Sequence, residues 1–352
     1  MNVNLLRWLH RWLGLVLGLA IAVVTLSGCW LIYERELATP DYHLDTQQPL
    51  LPLQTLLDNA ATVLPAGDVL LRIPGREDRA YQIWAGPEYT TQVVVDQYSG
   101  DIIEVRPSDY WPGGFLFDLH SELLNGKTGE MVSGWIGVGF LVLVVVGIVL
   151  WLPRTWKTLW QLRFGRSLFL THHDIHAQSA ILAVPALLLA LITGITLCFS
   201  TPTSDALNKL FDKGPPKLPK LEPAGRQRLA LDKLVEAADQ ALPGGRVRMV
   251  TIPGSPEKPV LVRKRMEDDP HSNGLNFIYV DPYTAEVIKA IPIAKADAGR
   301  QWFNWAYPLH TGEVLGGWHT WLLFASGLVP TVLLVTGLTM YLLRRKIIKP
   351  RR

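Results

Sequence analysis

Four stretches of this chain carry no Asp, Glu, Lys or Arg: Leu13–Ile32, Val132–Leu152, Ala177–Phe199 and Trp318–Leu343. A helix of about 20 residues crosses ~30 Å of hydrocarbon, and each stretch is long enough to do so. Inside lipid every backbone amide must be satisfied within its own segment or by a closed barrel, so these four stretches predict membrane-spanning helices. The 352 residues are 49% hydrophobic with a net charge of +3, values that soluble proteins share, so the distribution of charge and not the bulk composition sets the class.

The flanks predict an orientation. Arg7 and Arg11 precede the first span, Arg154, Lys157, Arg163 and Arg166 fill the short link between the second and third, and Arg344, Arg345, Lys346, Lys349, Arg351 and Arg352 follow the fourth. Lys and Arg accumulate on the cytoplasmic side, which puts both termini and the short link inside and the two long segments outside. The expected division is transmembrane helix 1 over 1–32, an outer module over 33–131, helix 2 over 132–153, a basic cytoplasmic loop over 154–171, helix 3 over 172–199, a second outer module over 200–317, helix 4 over 318–343 and a basic tail over 344–352. Arg7, Arg11, an apolar run and Leu26-Ser27-Gly28-Cys29 also resemble a lipoprotein signal, but the span is long for one and has a counterpart later in the chain.

Two cysteines, Cys29 and Cys198, are too few for a cysteine-ligated zinc or iron–sulfur site. Each lies near the outer end of an outward-running span, where a small buried apolar role is expected ahead of a disulfide.

The halves of the chain read alike. Leu64-Pro65-Ala66-Gly67 with Ile73-Pro74-Gly75 recurs as Leu242-Pro243-Gly244-Gly245 with Ile252-Pro253-Gly254, and Val95-Asp96-Gln97-Tyr98-Ser99-Gly100 recurs as Val280-Asp281-Pro282-Tyr283-Thr284-Ala285. Each outer segment opens with an amphipathic pattern, Leu53–Leu64 or Leu229–Leu242, followed by alternating strand patterns such as Val69–Ile73, Gln92–Val95 and Val247–Ile252. The expected fold class is therefore a membrane α-helical four-helix bundle from an internal duplication, with two outward-facing α+β modules. Pro-rich Lys213–Pro223 is the linker into the second module.

Histidine placement carries the functional signal. Seven of the nine histidines cluster at span ends, while His43 and His271 fall in outer loops. Aligning Ser27-Gly28 with Thr193-Gly194 sets His10 against His176 at the cytoplasmic ends of spans one and three. Aligning Phe117-Asp118-Leu119-His120 with Tyr307-Pro308-Leu309-His310 pairs the latter two at the outer ends of spans two and four. Ionisable side chains at membrane depth are costly and usually functional. Two imidazoles from related helices can supply both axial nitrogens of a haem iron, and two such pairs would form a two-haem wire. Gly14, Gly18 and Ala22 follow His10 at steps of four, and Ala180 and Ala183 follow His176. Small residues of this kind either leave room for a macrocycle or only let helices approach.

His172, His173 and His176 have spacing compatible with a metal such as zinc, or with a solvated cluster at a basic membrane edge. His319 sits about half a helical turn from His310 if the helix is continuous, and its role stays open among ligand, proton or substrate contact and buried hydrogen-bonded side chain. Pro185 and Pro330 lie mid-span, where each frees a carbonyl. Tyr110, Trp111, Phe115 and Phe117 precede His120, and Trp302, Phe303, Trp305 and Tyr307 precede His310. They suit an interfacial belt or a substrate-docking surface over the outer pair, to which Arg300 and Lys295 would draw anions.

Leu9-His10-Arg11-Trp12-Leu13-Gly14-Leu15, Leu119-His120, Asp174-Ile175-His176 and Pro308-Leu309-His310-Thr311-Gly312-Glu313 together resemble the signature positions of PepSY-associated transmembrane proteins, and the outer modules resemble PepSY domains. The resemblance covers nearly the whole chain. It implies a bacterial inner-membrane protein similar to siderophore-iron reductases, with two haem b groups held by His10, His176, His120 and His310. A ferric siderophore would be the substrate, and a cytoplasmic reductant or quinol the electron donor. Gln178–Ala180 departs from the arginine and glycine pattern expected after His176, and His172, His173 and His319 are additions to the family pattern.

That activity makes physical sense without acid–base machinery. Hard oxygen donors hold ferric iron tightly and the softer, less charged ferrous ion weakly, so one electron releases the metal. The sequence contains no phosphate-binding glycine loop or nicotinamide fingerprint and no sign of a nucleic-acid partner. The competing expectation is a non-enzymatic membrane protein whose PepSY-like modules bind or regulate a peptide or protease. A metal transporter is disfavoured by the absence of Asp and Glu from the four charge-free stretches.

Overall fold

The computed structural model describes residues 2–37, 42, 44–152, 162–223 and 225–347. His43, Arg154, Lys157, Lys349, Arg351 and Arg352 lie outside the described residues. In chain order the helices are α1 (Val3–Leu37), α2 (Leu53–Ala61), α3 (Gly113–Glu122), α4 (Gly126–Trp151), α5 (Leu168–Cys198), α6 (Ser200–Leu210), α7 (Leu231–Ala241), α8 (Ala298–Thr311) and α9 (Gly317–Arg344). The strands are β1 (Val69–Arg72), β2 (Tyr81–Ala85), β3 (Thr91–Val95), β4 (Ile102–Pro107), β5 (Arg246–Ile252), β6 (Val260–Arg265), β7 (Asn276–Val280) and β8 (Val287–Ile291). They divide between two compact units.

The first unit comprises Met1–Ala38, Phe115–Ser200 and Leu309–Arg352. Within it, α1, α4, α5 and α9 are each long and apolar enough to cross a membrane. They form a closed ring of neighbours, α1 against α4 and α9, and α5 against α4 and α9. The inner seam is apolar and made of Ile21, Phe140, Leu143, Ala183 and Leu187. Glycines allow the close approaches: a Cβ on Gly18 would meet Leu334 at 2.7 Å, one on Gly139 would meet Leu17, and one on Gly327 would meet Cys29. Dispersion and backbone proximity, not water exclusion, hold helices together in lipid, so these small residues matter more than their area suggests. Cys29 and Cys198 are free thiols, and Cys29 Sγ donates to the Phe324 carbonyl at 3.4 Å.

Helix boundaries differ from expectation at the ends. Polar capping residues add turns that charge-free stretches cannot reveal. Ser167 Oγ accepts from Leu170 N at 3.1 Å, which starts α5 before His172. His310 and His319 are not on one continuous helix, because α8 stops at Thr311 and α9 starts at Gly317. Gly312 and Gly316 between them take φ of 82° and 74°, a backbone that favours glycine.

The second unit comprises Thr39–Gly114 and Thr201–Pro308. Two separate small sheets were expected, but the strands form one antiparallel sheet of order β4-β3-β2-β1-β5-β6-β7-β8. The joint is the β1–β5 pair, with Leu71 opposite Val250. Pairing these edges removes two rows of unsatisfied amides that separate sheets would expose. The hairpins β3–β4 and β7–β8 turn at corresponding places, where Gly100 and Ala285 take φ of 80° and 60°.

Helices α2 and α7 cover one face of this sheet over a core of Leu56, Leu71, Ile83, Val93, Val250, Val262 and Ile278, all fully buried. Each such side chain contributes roughly 1.5–3 kcal/mol relative to exposure. The two helices complete each other's first turns. Asp232 of α7 accepts from Leu53 N and Gln54 N of α2 at 2.8 and 3.1 Å, and Gln54 Oε1 accepts from Leu231 N at 2.9 Å. Lys264 is 1% exposed and still satisfied, donating to Asp239 at 2.6 Å and to the Leu242 carbonyl at 2.7 Å.

Candidate functional site

Within the helical unit, the four histidines singled out from the sequence meet in two pairs. His10 of α1 faces His176 of α5 with ring centroids 6.2 Å apart, and His120 of α3 faces His310 of α8 at 6.0 Å. A first-row metal–imidazole bond of about 2 Å would put the centroids of two rings bound on opposite sides of one metal at about 6 Å. Both pairs meet that spacing.

Three of the four rings are oriented from the Nδ1 side. His120 Nδ1 donates to the Val24 carbonyl at 2.7 Å. His310 Nδ1 lies 3.1 Å from both the Ala190 carbonyl and Thr193 Oγ1, and the Thr193 hydroxyl itself donates to Leu189 O, so the ring nitrogen is the donor. The same logic holds for His176 Nδ1, 2.9 Å from Thr336 Oγ1, whose proton goes to Val332 O. His10 Nδ1 is sealed from solvent without a hydrogen-bond partner. A proton on Nδ1 leaves Nε2 with its lone pair free, the tautomer a metal requires.

Each ring also packs on a glycine of a neighbouring helix. A Cβ built on Gly28 would lie 2.7 Å from His120 Cε1 and one on Gly194 would lie 2.9 Å from His310 Cε1. The corresponding distances are 3.4 Å for Gly147 and His10, and 3.6 Å for Gly337 and His176. Val24 and Gly28 follow His10 on α1 by the same intervals at which Ala190 and Gly194 follow His176 on α5. At ~1.5 Å per residue these intervals put the two pairs about 20–27 Å apart along the helices. All four rings are half-buried. The spacing, the Nε2 atoms left free in three of the four rings and the glycine cradles fit haem iron at both pairs.

The other candidates are placed differently. His172 Nδ1 bonds back to Leu168 O, and His173 stacks on Phe169 and pairs with Asp174 at 3.1 Å. Among the described residues no group of three or more His, Cys, Asp or Glu side chains is arranged to hold a metal ion, which removes the zinc-like cluster at His172, His173 and His176. His319 is 1% exposed with neither ring nitrogen hydrogen-bonded. The Gly14 and Gly18 stripe meets Leu143 and Leu334, so it serves helix packing and leaves the rings to other glycines.

In the sheet unit, Trp111 and Trp305 are exposed and Trp302 is half-buried. Arg300 was expected as a steering charge at the surface. Its guanidinium instead lies over the Phe277 ring at 4.0 Å, with its side chain only 12% exposed.

The sequence reading used Ser27-Gly28 and Thr193-Gly194 to set register and missed that these glycines seat the outer rings. It named Arg163 and Asp174 separately and missed that they pair. Asp174 is 5% exposed and accepts from the Arg163 backbone N at 3.2 Å and from Nε at 2.7 Å, fixing the residues before α5 to its first turns, two residues from His176.

No curated protein matches the chain. A family model described as PepSY-associated TM region matches residues 7–344, the segment that holds all four paired histidines. The chain therefore belongs to the PepSY-associated transmembrane family.

Proposed function

We propose that this is a haem-containing membrane reductase that passes single electrons to a ferric siderophore outside the cytoplasm and so releases Fe(II). The observation that carries the proposal is the pair of imidazole pairs, each at bis-ligand spacing with Nδ1 turned away in three of the four rings. Haem b at both pairs would supply one-electron carriers that need no proton transfer at the iron.

This chain's own residues would do the positioning. Val24 O, Ala190 O and Thr336 Oγ1 hold Nδ1 protons and thereby present Nε2. Gly28, Gly194, Gly147 and Gly337 leave room beside the rings. Substrate iron takes one electron, going from Fe(III) to Fe(II), and its oxygen donors then hold it weakly. The electron would come from a cytoplasmic reductant or from quinol. The basic flanks support a cytoplasmic location for both termini in a bacterial inner membrane. The matched helix intervals support a duplicated origin.

The test is anaerobic mixing of the dithionite-reduced, purified protein with a ferric siderophore and a ferrous-iron trap. Reoxidation of the haem bands with one Fe(II) trapped per electron is expected, and His310→Ala should remove the fast phase. A reduced protein that stays reduced, with no Fe(II) formed, overturns the assignment.

A further inference from the structure

On the sheet face opposite α2 and α7, two arginines lie against one aromatic ring. Arg263 of β6 sits opposite Phe277 of β7, with its guanidinium 5.3 Å from the ring centroid, while Arg300 of α8 lies over the same ring at 4.0 Å. Two guanidiniums thus share one aromatic ring. Among the described residues the carboxylate that pairs with either of them is Asp297, at 3.5 Å from Arg300 and itself buried. Arg263 Nη2 donates to the Gly274 carbonyl at 2.9 Å, a neutral acceptor.

Donors remain over. Arg263 Nε and Arg300 Nη1 are buried without an acceptor, although Arg300 also hydrogen-bonds the Tyr279 side chain; Asn304 Oδ1, one helical turn beyond Arg300, is an unpartnered acceptor and adds no donor. Leaving a buried donor unmade costs about 1–3 kcal/mol, more when the group is charged, so two such donors beside one ring call for an acceptor. Burial, followed by the nearby charge of Arg300, pushes Arg263 down to about 10, with Tyr307 acting the other way and Arg72 adding to the fall, which leaves it charged at neutral pH. Guanidinium forks match the paired oxygens of an oxyanion, and a ring beneath them keeps water off the pair.

We infer that Arg263, Arg300 and Phe277 form a binding site for a small oxyanion, a carboxylate or a phosphate, on the sheet unit. This site stands independently of the haem assignment, because it can be measured without electron transfer.

The test is calorimetric titration of the full-length purified protein with citrate and, separately, with inorganic phosphate at low chloride, together with melting curves with and without each anion. Saturable binding of at least one anion is expected, weakened more than about tenfold in Arg263→Met and in Arg300→Lys, since each removes a charge-assisted hydrogen bond. Whichever anion binds identifies the source of the oxyanion. Without anion, Arg263→Met should melt no lower than the parent, and the anion-induced rise in melting temperature should vanish. Arg300→Lys keeps the charge and loses the fork, so it carries the test if the methionine variant fails to fold. Absence of binding by both anions, or binding that changes less than about twofold in the folded variants, overturns the site.

Discussion

The imidazole of His120 rests directly on the backbone of Gly28, so closely that a methyl group on that glycine would fall 2.7 Å from Cε1. Gly194 has the same relation to His310 at 2.9 Å, whereas Gly147 and Gly337 stand off from His10 and His176 by 3.4 and 3.6 Å. The two pairs therefore differ in how tightly they are seated, and alanine substitutions should separate them. Gly28→Ala and Gly194→Ala should each cut bound haem by about half, through loss of the outer site, while Gly147→Ala and Gly337→Ala should leave the haem-to-protein ratio nearly unchanged. Equal losses from all four variants would show that the glycines act on the bundle as a whole.

Thr336→Val removes the acceptor for His176 Nδ1–H without changing side-chain shape much. A hydrogen-bonded Nδ1 makes the imidazole a stronger donor and favours ferric iron, so its loss should raise the potential of one haem. One net hydrogen bond of about 1 kcal/mol corresponds to roughly 40 mV for a one-electron couple. Redox titration should show one of two midpoints moving up and the other unmoved.

Asp174→Ala strips Arg163 of its carboxylate partner, losing the contact from its backbone N as well as that from Nε. Arg163 is partly exposed, so solvent screening keeps the cost below that of a sealed pair. The expected readout is a lower melting temperature in detergent and faster tryptic cleavage at Arg163.

Asp232→Ala should destabilise the sheet unit by about 1–2 kcal/mol, because it uncaps Leu53 N and Gln54 N of α2. Gln54→Ala uncaps Leu231 N in the reverse direction. The two contacts share one helix pair, so a double-mutant cycle on unfolding should be non-additive.

Much of this arrangement was legible in the sequence because lipid imposes simple rules. Charge-free length gave α1, α4, α5 and α9, and the Ser27-Gly28 and Thr193-Gly194 correspondence was enough to set His10 against His176. What stayed hidden depends on three-dimensional closure. No local pattern tells that β1 and β5 pair edge to edge, since Val69–Arg72 and Arg246–Ile252 look like any half-buried strands. Nor does helical spacing distinguish Gly18, which meets Leu334, from Gly28, which meets His120, because both are small residues on one apolar helix. The buried posture of Arg300 was hidden for a related reason: a lone arginine near tryptophans reads as surface charge until Phe277 is brought beneath it.

The most direct measurement is a pyridine haemochrome assay with protein quantitation on the purified chain and on His10→Ala, His176→Ala, His120→Ala and His310→Ala. Two haem b per parent chain are expected, falling to one in each single variant, with the two members of a pair removing the same spectroscopic species. A parent chain free of haem after expression in haem-replete cells, or haem that survives all four substitutions, would contradict the pairing of these imidazoles around iron.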